Sequence, residues 1–426
     1  MTVPEVVIIG GGFGGLYAAR ALNRAPVRVT LIDRKNHHVF QPLLYQVATG
    51  GLSAPQIAAP IRHILRRQKN TTVLLAEVVG IDVAAHEVEL ETGGSIHYDF
   101  LILAAGATHA YFGHEDWAAH APGLKTIEDA FEIRRKVFLA FESAELATDP
   151  AEREAWLTFV IVGGGATGVE LAGALAEISR HTIADDFRRI DPRSARIILI
   201  EGTDRVLPPY PPELSERAEA QLRRLGVDVR TSTRVTGVDA AGVSIGSERI
   251  AARTTLWAAG VAASPLAASL GVPLDRAGRV LVGQDLTVPG HPEISVIGDL
   301  AAVPWKDGWV PGVSAAAIQE GRLAALNIRR AIAGLPREPF EYWDKGSMAT
   351  IGRKAAVGVL GRLHLSGFVA WLAWLLIHIT YLAGFRNRLV VLVDWAWAYL
   401  TYERGARLIL DRPRAPALGS GESHVR

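Results

Sequence analysis

Runs rich in valine and isoleucine alternate with alanine-rich runs along most of the chain. The first kind reads as buried strand and the second as helix, so the alternation predicts a layered α/β fold. One unit runs from Val6 to Asp33, where VRVTLID ends in an acid. From about Val73 to Leu103 the pattern predicts short strands with turns, and from Pro122 to Ala155 charged helix. A second unit starts at Leu157 and reaches its own acid, Glu201, in ARIILIEGTD. A strand-rich section closing on TTLWAAGVAASPL follows, then a strand leading into Gly298–Asp299, then a helix from near Pro311.

The turns between strand and helix repeat. VVIIGGGFGGLYAAR carries Gly10, Gly12 and Gly15 in G-x-G-x-x-G register, and FVIVGGGATGVELAG carries Gly163, Gly165 and Gly168 in the same register. A glycine turn between a buried strand and a helix lets a backbone approach pyrophosphate at the helix N-terminus. Each such fold takes one dinucleotide, so two are predicted. Asp33 lies 23 residues after Gly10, near the offset of a carboxylate that binds a ribose hydroxyl. Glu201 holds the corresponding place in the second unit. A carboxylate there accepts from the 2′- and 3′-hydroxyls and repels a 2′-phosphate, which predicts NADH over NADPH at that site. Residue chemistry alone leaves open which fingerprint takes which nucleotide. Glu170, two residues past Gly168, complements a helix dipole and needs no further role to be explained.

The order predicts one Rossmann-like domain inserted in another. Residues 1–122 and 283–345 form the first, 123–282 the second, 346–412 a C-terminal helical region that anchors to a membrane, and 413–426 a disordered tail.

Composition narrows the chemistry. There is no cysteine, which removes enzymes that relay electrons through a protein thiol or disulfide. With 45 basic and 44 acidic side chains there is no basic excess to suggest nucleic acid. Thirteen histidines form no metal-ligand spacing. The N-terminus enters its first strand at once, without the look of a signal peptide, so the catalytic body is expected in the cytoplasm.

The C-terminal block departs from the rest. FVAWLAWLLIHITYLAG, residues 368–384, carries no formal charge and would make about 26 Å of helix, short of the ~20 apolar residues a span needs. Between Arg353 and Arg412 stand eight cations, Arg404 and Arg412 among them, against Asp394, Glu403 and Asp411. Four of the ten tryptophans, at 371, 374, 395 and 397, fall here too. A transmembrane hairpin and a buried core or dimer interface both compete as readings. Aromatic and basic framing of short apolar helices favours an in-plane, monotopic anchor, and with it a lipid-soluble electron acceptor.

With these motifs in place the chain resembles the two-dinucleotide-binding-domain flavoproteins. That resemblance implies FAD at the first fingerprint, NAD(P)H at the second, and Asp299 of the Gly298–Asp299 pair against the flavin ribityl chain. It also implies that Glu170 reaches the flavin–nicotinamide contact. NHHVFQPLLYQVATGGLS, PGVSAAAIQEG and the aromatic-basic C-terminal block narrow it further, to a resemblance to the type II NADH:quinone oxidoreductases over residues 4–412. Membership would imply hydride transfer from NADH to flavin N5, then reduction of a membrane quinone without proton pumping. It would place the protein on the cytoplasmic face of the inner (plasma) membrane, with a homodimer through the C-terminal helices as a family-level expectation. Glu170 and Gln319 are the catalytic candidates that follow, with Gln319 beside the quinone headgroup and the Ala48–Gly51 turn, including Gly50, at the flavin–quinone junction. The family's first glutamine in that stretch is replaced by Ala315, which, unlike Gln319, cannot hydrogen-bond a quinone oxygen.

Overall fold

The computed structural model describes residues 3–382, 385–401 and 405–409. Strand β1 (Glu5–Ile9) is buried over most of its length and leads into helix α1 (Phe13–Ala21). It pairs in parallel with β2 (Arg28–Asp33), which pairs in turn with β3 (Thr71–Leu75). Helix α2 (Leu44–Ala48) lies in the connection between those two strands. On its other side β1 pairs in parallel with β4 (Phe100–Leu103). The chain then leaves this sheet through Ala107–His109, which pairs antiparallel with Val261–Ala263 on the way back.

Between those two short strands stands the second sheet, entered through helix α3 (Ile127–Leu146). Its strands are β5 (Thr158–Val162), β6 (Arg196–Ile200), β7 (Val227–Arg230) and β8 (Thr254–Trp257), all parallel, in the order β7–β6–β5–β8. β5 is buried along its whole length, as a central parallel strand covered on both faces must be. Helix α4 (Ala166–Glu177) follows it. The chain rejoins the first sheet with β9 (Thr287–Val288) and β10 (His291–Val296), and β10 lies parallel to β4. The first sheet therefore takes strands from both sides of the segment that builds the second.

Helix α5 (Ser314–Ile332) packs across α1 so closely that a Cβ on Gly321 would run into the Gly14 carbonyl. The C-terminal region begins with three strands the helical reading of that segment did not anticipate. β11 (Ser347–Gly352), β12 (Ala355–Leu360) and β13 (Leu363–Ser366) form an antiparallel sheet. Its apolar alternation is short, and the turn at Arg353–Lys354 hides it among charges. Helices α6 (Gly367–Tyr381) and α7 (Phe385–Thr401) complete the region. Arg404, Glu403, Asp411, Arg412 and the tail 413–426 lie outside the described residues.

Candidate functional site

The two fingerprints fold alike. Gly10 sits at φ +100°, and a Cβ there would meet the Ala104 carbonyl; Gly163 sits at φ +108° against the backbone of Ala258. Gly15 and Gly168 let their helices rest on the carbonyls of Gly10 and Gly163. Gly12 and Gly165 are the residues before the first helical turns, and each faces open space where a phosphate can approach. The acids repeat as well. Asp33 accepts from the Gly11 N–H at 2.5 Å and the Lys35 N–H at 2.7 Å. Glu201 accepts from the Gly164 N–H at 2.5 Å and the Thr203 N–H at 2.7 Å. Each carboxylate thus braces its own glycine turn and retains lone pairs for ribose hydroxyls.

What surrounds them differs. The first fingerprint opens on a cleft of about 1240 Å³ walled by Gly12, Asp33, Lys125, Gly298 and Asp299 among others. Asp299 pairs with Lys125 at 3.2 Å, so a cation and a carboxylate stand opposite the glycine turn. A helix N-terminus, a lysine, and acids at both ends of the cleft suit a long dinucleotide with two ribose-like polyols and a pyrophosphate between them. Beneath lies Glu320, 2% exposed, accepting from the Gly298 N–H at 2.5 Å. Burial first and the Asp299 charge second push its carboxyl up to about 7. The sequence reading missed it; an acid in phase with the buried Ala316, Ala317 and Ala324 was the available signal. By contrast, Gly202, Thr203 and Asp204 beside Glu201 are exposed.

Helix α4 turns from its fingerprint to a different neighbour. A Cβ on Gly173 would collide with the Ile351 carbonyl, so α4 lies directly on the C-terminal sheet. Between α2, α4, β11 and the two terminal helices is a cavity of about 830 Å³, lined by Tyr45, Gln46, Glu170, Thr350, Trp374 and Trp395 among others. Burial raises the Glu170 carboxyl to about 8, against a backbone hydrogen bond from Thr350 that lowers it. Desolvation likewise raises the Tyr45 phenol. His378 stacks on Trp374 at 4.2 Å and burial holds it down to about 4, so the imidazole is neutral near pH 7.

The outer faces of the terminal helices are apolar. Val369, Leu376, Leu389, Val393, Trp397 and Leu400 are all exposed. No helix among the described residues is long and apolar enough to cross a membrane. Asp394, the acid inside α7, is bonded to the Gln56 side chain, and Asn387 donates to the Pro55 carbonyl at 3.1 Å. The polar face of α7 is therefore used against residues 55–56, which leaves its apolar face outward.

The candidates on the quinone side fall less neatly. The Gln319 amide is held by backbone: it donates to the carbonyls of Ala315 and Trp343 and accepts from the Trp343 N–H at 3.1 Å. It braces the irregular segment before β11, and other residues build the cavity wall. Ala48 is fully buried in the core under α2. Gly50, at φ +69°, packs on Phe138 and the Ala406 carbonyl, while its neighbour Gly51 reaches the cavity. Glu170 is the one candidate of this group on the wall. Tyr45 and Gln46 lay within a motif already singled out, but nothing in their spacing marked them. Thr350 and Trp395 come from elements distant in sequence.

Comparison with known proteins agrees with this layout. Residues 4–321 match the pyridine nucleotide-disulphide oxidoreductase family, and residues 344–402 match the NDH2 C-terminal domain. The chain is 49% identical over 425 residues to the type II NADH:quinone oxidoreductase NdhA of Mycobacterium tuberculosis, covering 96% of this chain and 90% of that protein. It is 29% identical to a type II NADH:quinone oxidoreductase of Staphylococcus aureus, over 84% of this chain and 89% of that protein. Among solved structures, NDH2 from Plasmodium falciparum in complex with NADH superposes with a TM-score of 0.88 at 21% identity, covering 96% of this chain and all of the other. The sulfide:quinone oxidoreductase of Aquifex aeolicus shares the fold with a TM-score of 0.73 at 19% identity, over 90% and 92% of the two chains.

Proposed function

The chain belongs to the type II NADH:quinone oxidoreductases, and from that premise we propose how this molecule oxidises NADH and reduces quinone. We infer that FAD lies along the cleft at the first fingerprint, that NADH docks at the second, and that quinone enters the cavity beneath the terminal helices. Bound FAD would supply a two-electron relay, taking the nicotinamide hydride and passing electrons on to quinone without proton pumping. The remaining work belongs to side chains. The N-terminus of α1 and Gly12 receive the pyrophosphate, Asp33 the adenosine ribose, and Asp299, steadied by Lys125, the ribityl chain. Glu201 receives the NADH ribose and disfavours a 2′-phosphate. Glu170 holds a proton where nicotinamide, flavin and quinone converge. The apolar faces of α6 and α7 rest on the cytoplasmic side of the membrane, their arginines among anionic headgroups. The same face also suits a second copy of the chain, a reading that vesicle flotation against sedimentation in detergent separates.

One observation carries the proposal. Glu170, on the helix that starts at a nucleotide fingerprint, lines a cavity whose far wall is a pair of helices with exposed apolar faces. The test is NADH oxidation by the detergent-solubilised, FAD-loaded protein with decylubiquinone or menadione, and NADPH as control donor. Fast turnover with a strong preference for NADH is expected. Flavin reduction by NADH without quinone turnover would sink the assignment of the cavity.

A further inference from the structure

A string of hydrogen bonds runs through the cavity wall from a terminal helix to β11. The Trp395 indole N–H donates to Gln46 Oε1 at 2.8 Å. An indole N–H can only donate, so the Gln46 amide is fixed with its oxygen toward Trp395 and its NH₂ toward Tyr45. That NH₂ donates to the Tyr45 hydroxyl at 3.0 Å, and the hydroxyl lies 3.0 Å from Thr350 Oγ1. Two hydroxyls carry two hydrogens, and the bond between them uses one. The other has no acceptor among the described residues, and both side chains line the cavity. Gln46 offers Tyr45 a hydrogen and no lone pair, so it cannot take the spare one. A second donor stands on the same wall: Trp374 is 2% exposed and its indole N–H has no partner among the described residues. Buried donors without acceptors are costly, and a ligand rich in acceptors relieves them.

Resting on the reading of this cavity as the quinone chamber, we propose that the Trp395–Gln46–Tyr45–Thr350 string polarises its wall to donate hydrogen bonds, so that it binds oxidised quinone in preference to quinol. A quinone presents two carbonyl oxygens and no hydrogens. A quinol must find acceptors for two hydroxyl hydrogens; along this string it meets donors, and the acceptors of the wall, the Glu170 and Glu177 carboxyls, belong to α4. Trp395 sets the polarity from a distance as a positioning residue, because only its N–H keeps the Gln46 oxygen away from Tyr45. The preference draws substrate in and lets product leave. It also supplies hydrogen bonds that Ala315 cannot make.

The experiment measures equilibrium binding of decylubiquinone and decylubiquinol to the oxidised FAD-loaded protein, anaerobically and without NADH, by quenching of tryptophan fluorescence. FAD content and melting temperature report that each variant has folded. The wild type is expected to bind quinone about tenfold tighter than quinol, the order of one buried hydrogen bond made or missed. Y45F and T350V each leave one hydroxyl with a free hydrogen and should keep most of that preference. Making the whole string apolar, in W395F/Q46L/Y45F/T350V, also removes the Gln46 NH₂ that loss of the Tyr45 hydroxyl would leave as a free donor; this variant should lose most of the preference. W395F frees the Gln46 amide to turn its oxygen to Tyr45 and should reduce the preference to about threefold. Equal wild-type affinity for the two forms, or an all-apolar string variant that discriminates as well as the wild type, overturns the proposal. A398W, which fills the cavity from α7, separates this failure from that of the chamber itself. If it leaves quinone binding intact, the chamber assignment falls and the polarity with it; if it abolishes binding while the wild type shows no preference, only the polarity falls.

Discussion

The two nucleotide folds share a turn and differ in what lies behind it. Both use three glycines at matching positions, and both tie the acid at the end of the second strand back to the turn it follows. Behind α1 lies α5, whose Gly321 fits against Gly14, so the first fold is sealed by another helix and its cleft is walled by Lys125 and Asp299. Behind α4 lies the C-terminal sheet, and beside Glu201 the surface is exposed. A resident cofactor needs the closed arrangement, and a substrate that comes and goes needs the open one. The second helix also does what the first does not. It links a nucleotide turn to the cavity under the terminal helices and carries Glu170 between them.

Matched glycine substitutions break this comparison most sharply. In G15A a Cβ meets the Gly10 carbonyl, and in G168A it meets the Gly163 carbonyl. The local damage is the same, so any difference in outcome reports the difference in role. G15A should be purified with little FAD and no activity. G168A should keep its FAD spectrum yet lose more than about a hundredfold in the rate of flavin reduction by NADH, as expected when pyrophosphate positioning is lost. Loss of FAD from G168A would reverse the assignment of the two folds.

Next in size is E170Q, which tests what α4 carries. Glu170 has a folded value of about 8 against an ordinary 4.5, so near pH 7 it is mostly protonated and it ionises above about 8. If it donates its proton toward quinone, wild-type turnover should fall as pH rises through about 8. E170Q should be slower by about a hundredfold, the lower range for a general acid, with that limb absent and FAD retained. Stability should move in the same window. The folded protein holds a proton that the unfolded chain releases, so wild-type stability declines from about pH 4.5 to about pH 8 and levels off above it. E170Q should lose the share of that decline that Glu170 carries and keep the share of Glu320, whose carboxyl is raised to about 7. A wild-type and variant melting profile that stay parallel from pH 5 to 9 would count against a raised carboxyl.

How far the sequence reached follows from the same contrast. Gly10, Gly12, Gly15 and their counterparts could be read because each turn needs its residues at fixed spacing within one strand–turn–helix unit. Asp299 was legible only through resemblance, since a Gly–Asp pair by itself reads as well as a helix cap. The cavity wall was not legible. Tyr45, Glu170, Thr350 and Trp395 come from four elements, and no spacing in the chain encodes their meeting. Gln319 shows the limit from the other side: its type suits a quinone oxygen, and no feature of the sequence announced that its amide would bond the Trp343 backbone. The β11–β13 sheet escaped because charges at its turn and the apolar run after it drew attention to helix and membrane. Nor does the sequence pair Asp394, an acid within an apolar helix, with Gln56, 338 residues away.

A smaller effect sharpens the nucleotide comparison. Glu201 and Asp33 make the same two hydrogen bonds, yet only Glu201 is proposed to choose between NADH and NADPH. E201Q keeps an oxygen that can accept from the Gly164 N–H and removes the charge that repels a 2′-phosphate. The NADH/NADPH ratio of kcat/KM should fall about tenfold, chiefly through a lower KM for NADPH, with FAD content unchanged. An unaltered ratio would move the discrimination elsewhere on the second fold, with half-buried Arg205, paired with Asp204, and Arg234, beside Gly202, as the cations to test.

The smallest effect concerns the membrane face and asks whether it serves the second fold alone. Arg386, in the first turn of α7, is exposed beside Leu389 and Val393. Near an anionic bilayer one arginine contributes about 1 kcal/mol, so R386Q should weaken binding to vesicles containing anionic lipid about fivefold, and less as salt is raised. Neutral vesicles should show almost no difference between variant and wild type. Flavin reduction by NADH in solution should not change, because Arg386 is on the walls of neither the cleft nor the cavity. Turnover with a quinone confined to the bilayer should fall with the bound fraction of enzyme, and turnover with a soluble quinone should not. If R386Q binds anionic vesicles as tightly as the wild type, the exposed face of α6 and α7 is covered by something other than lipid, and a second copy of the chain becomes the occupant to test.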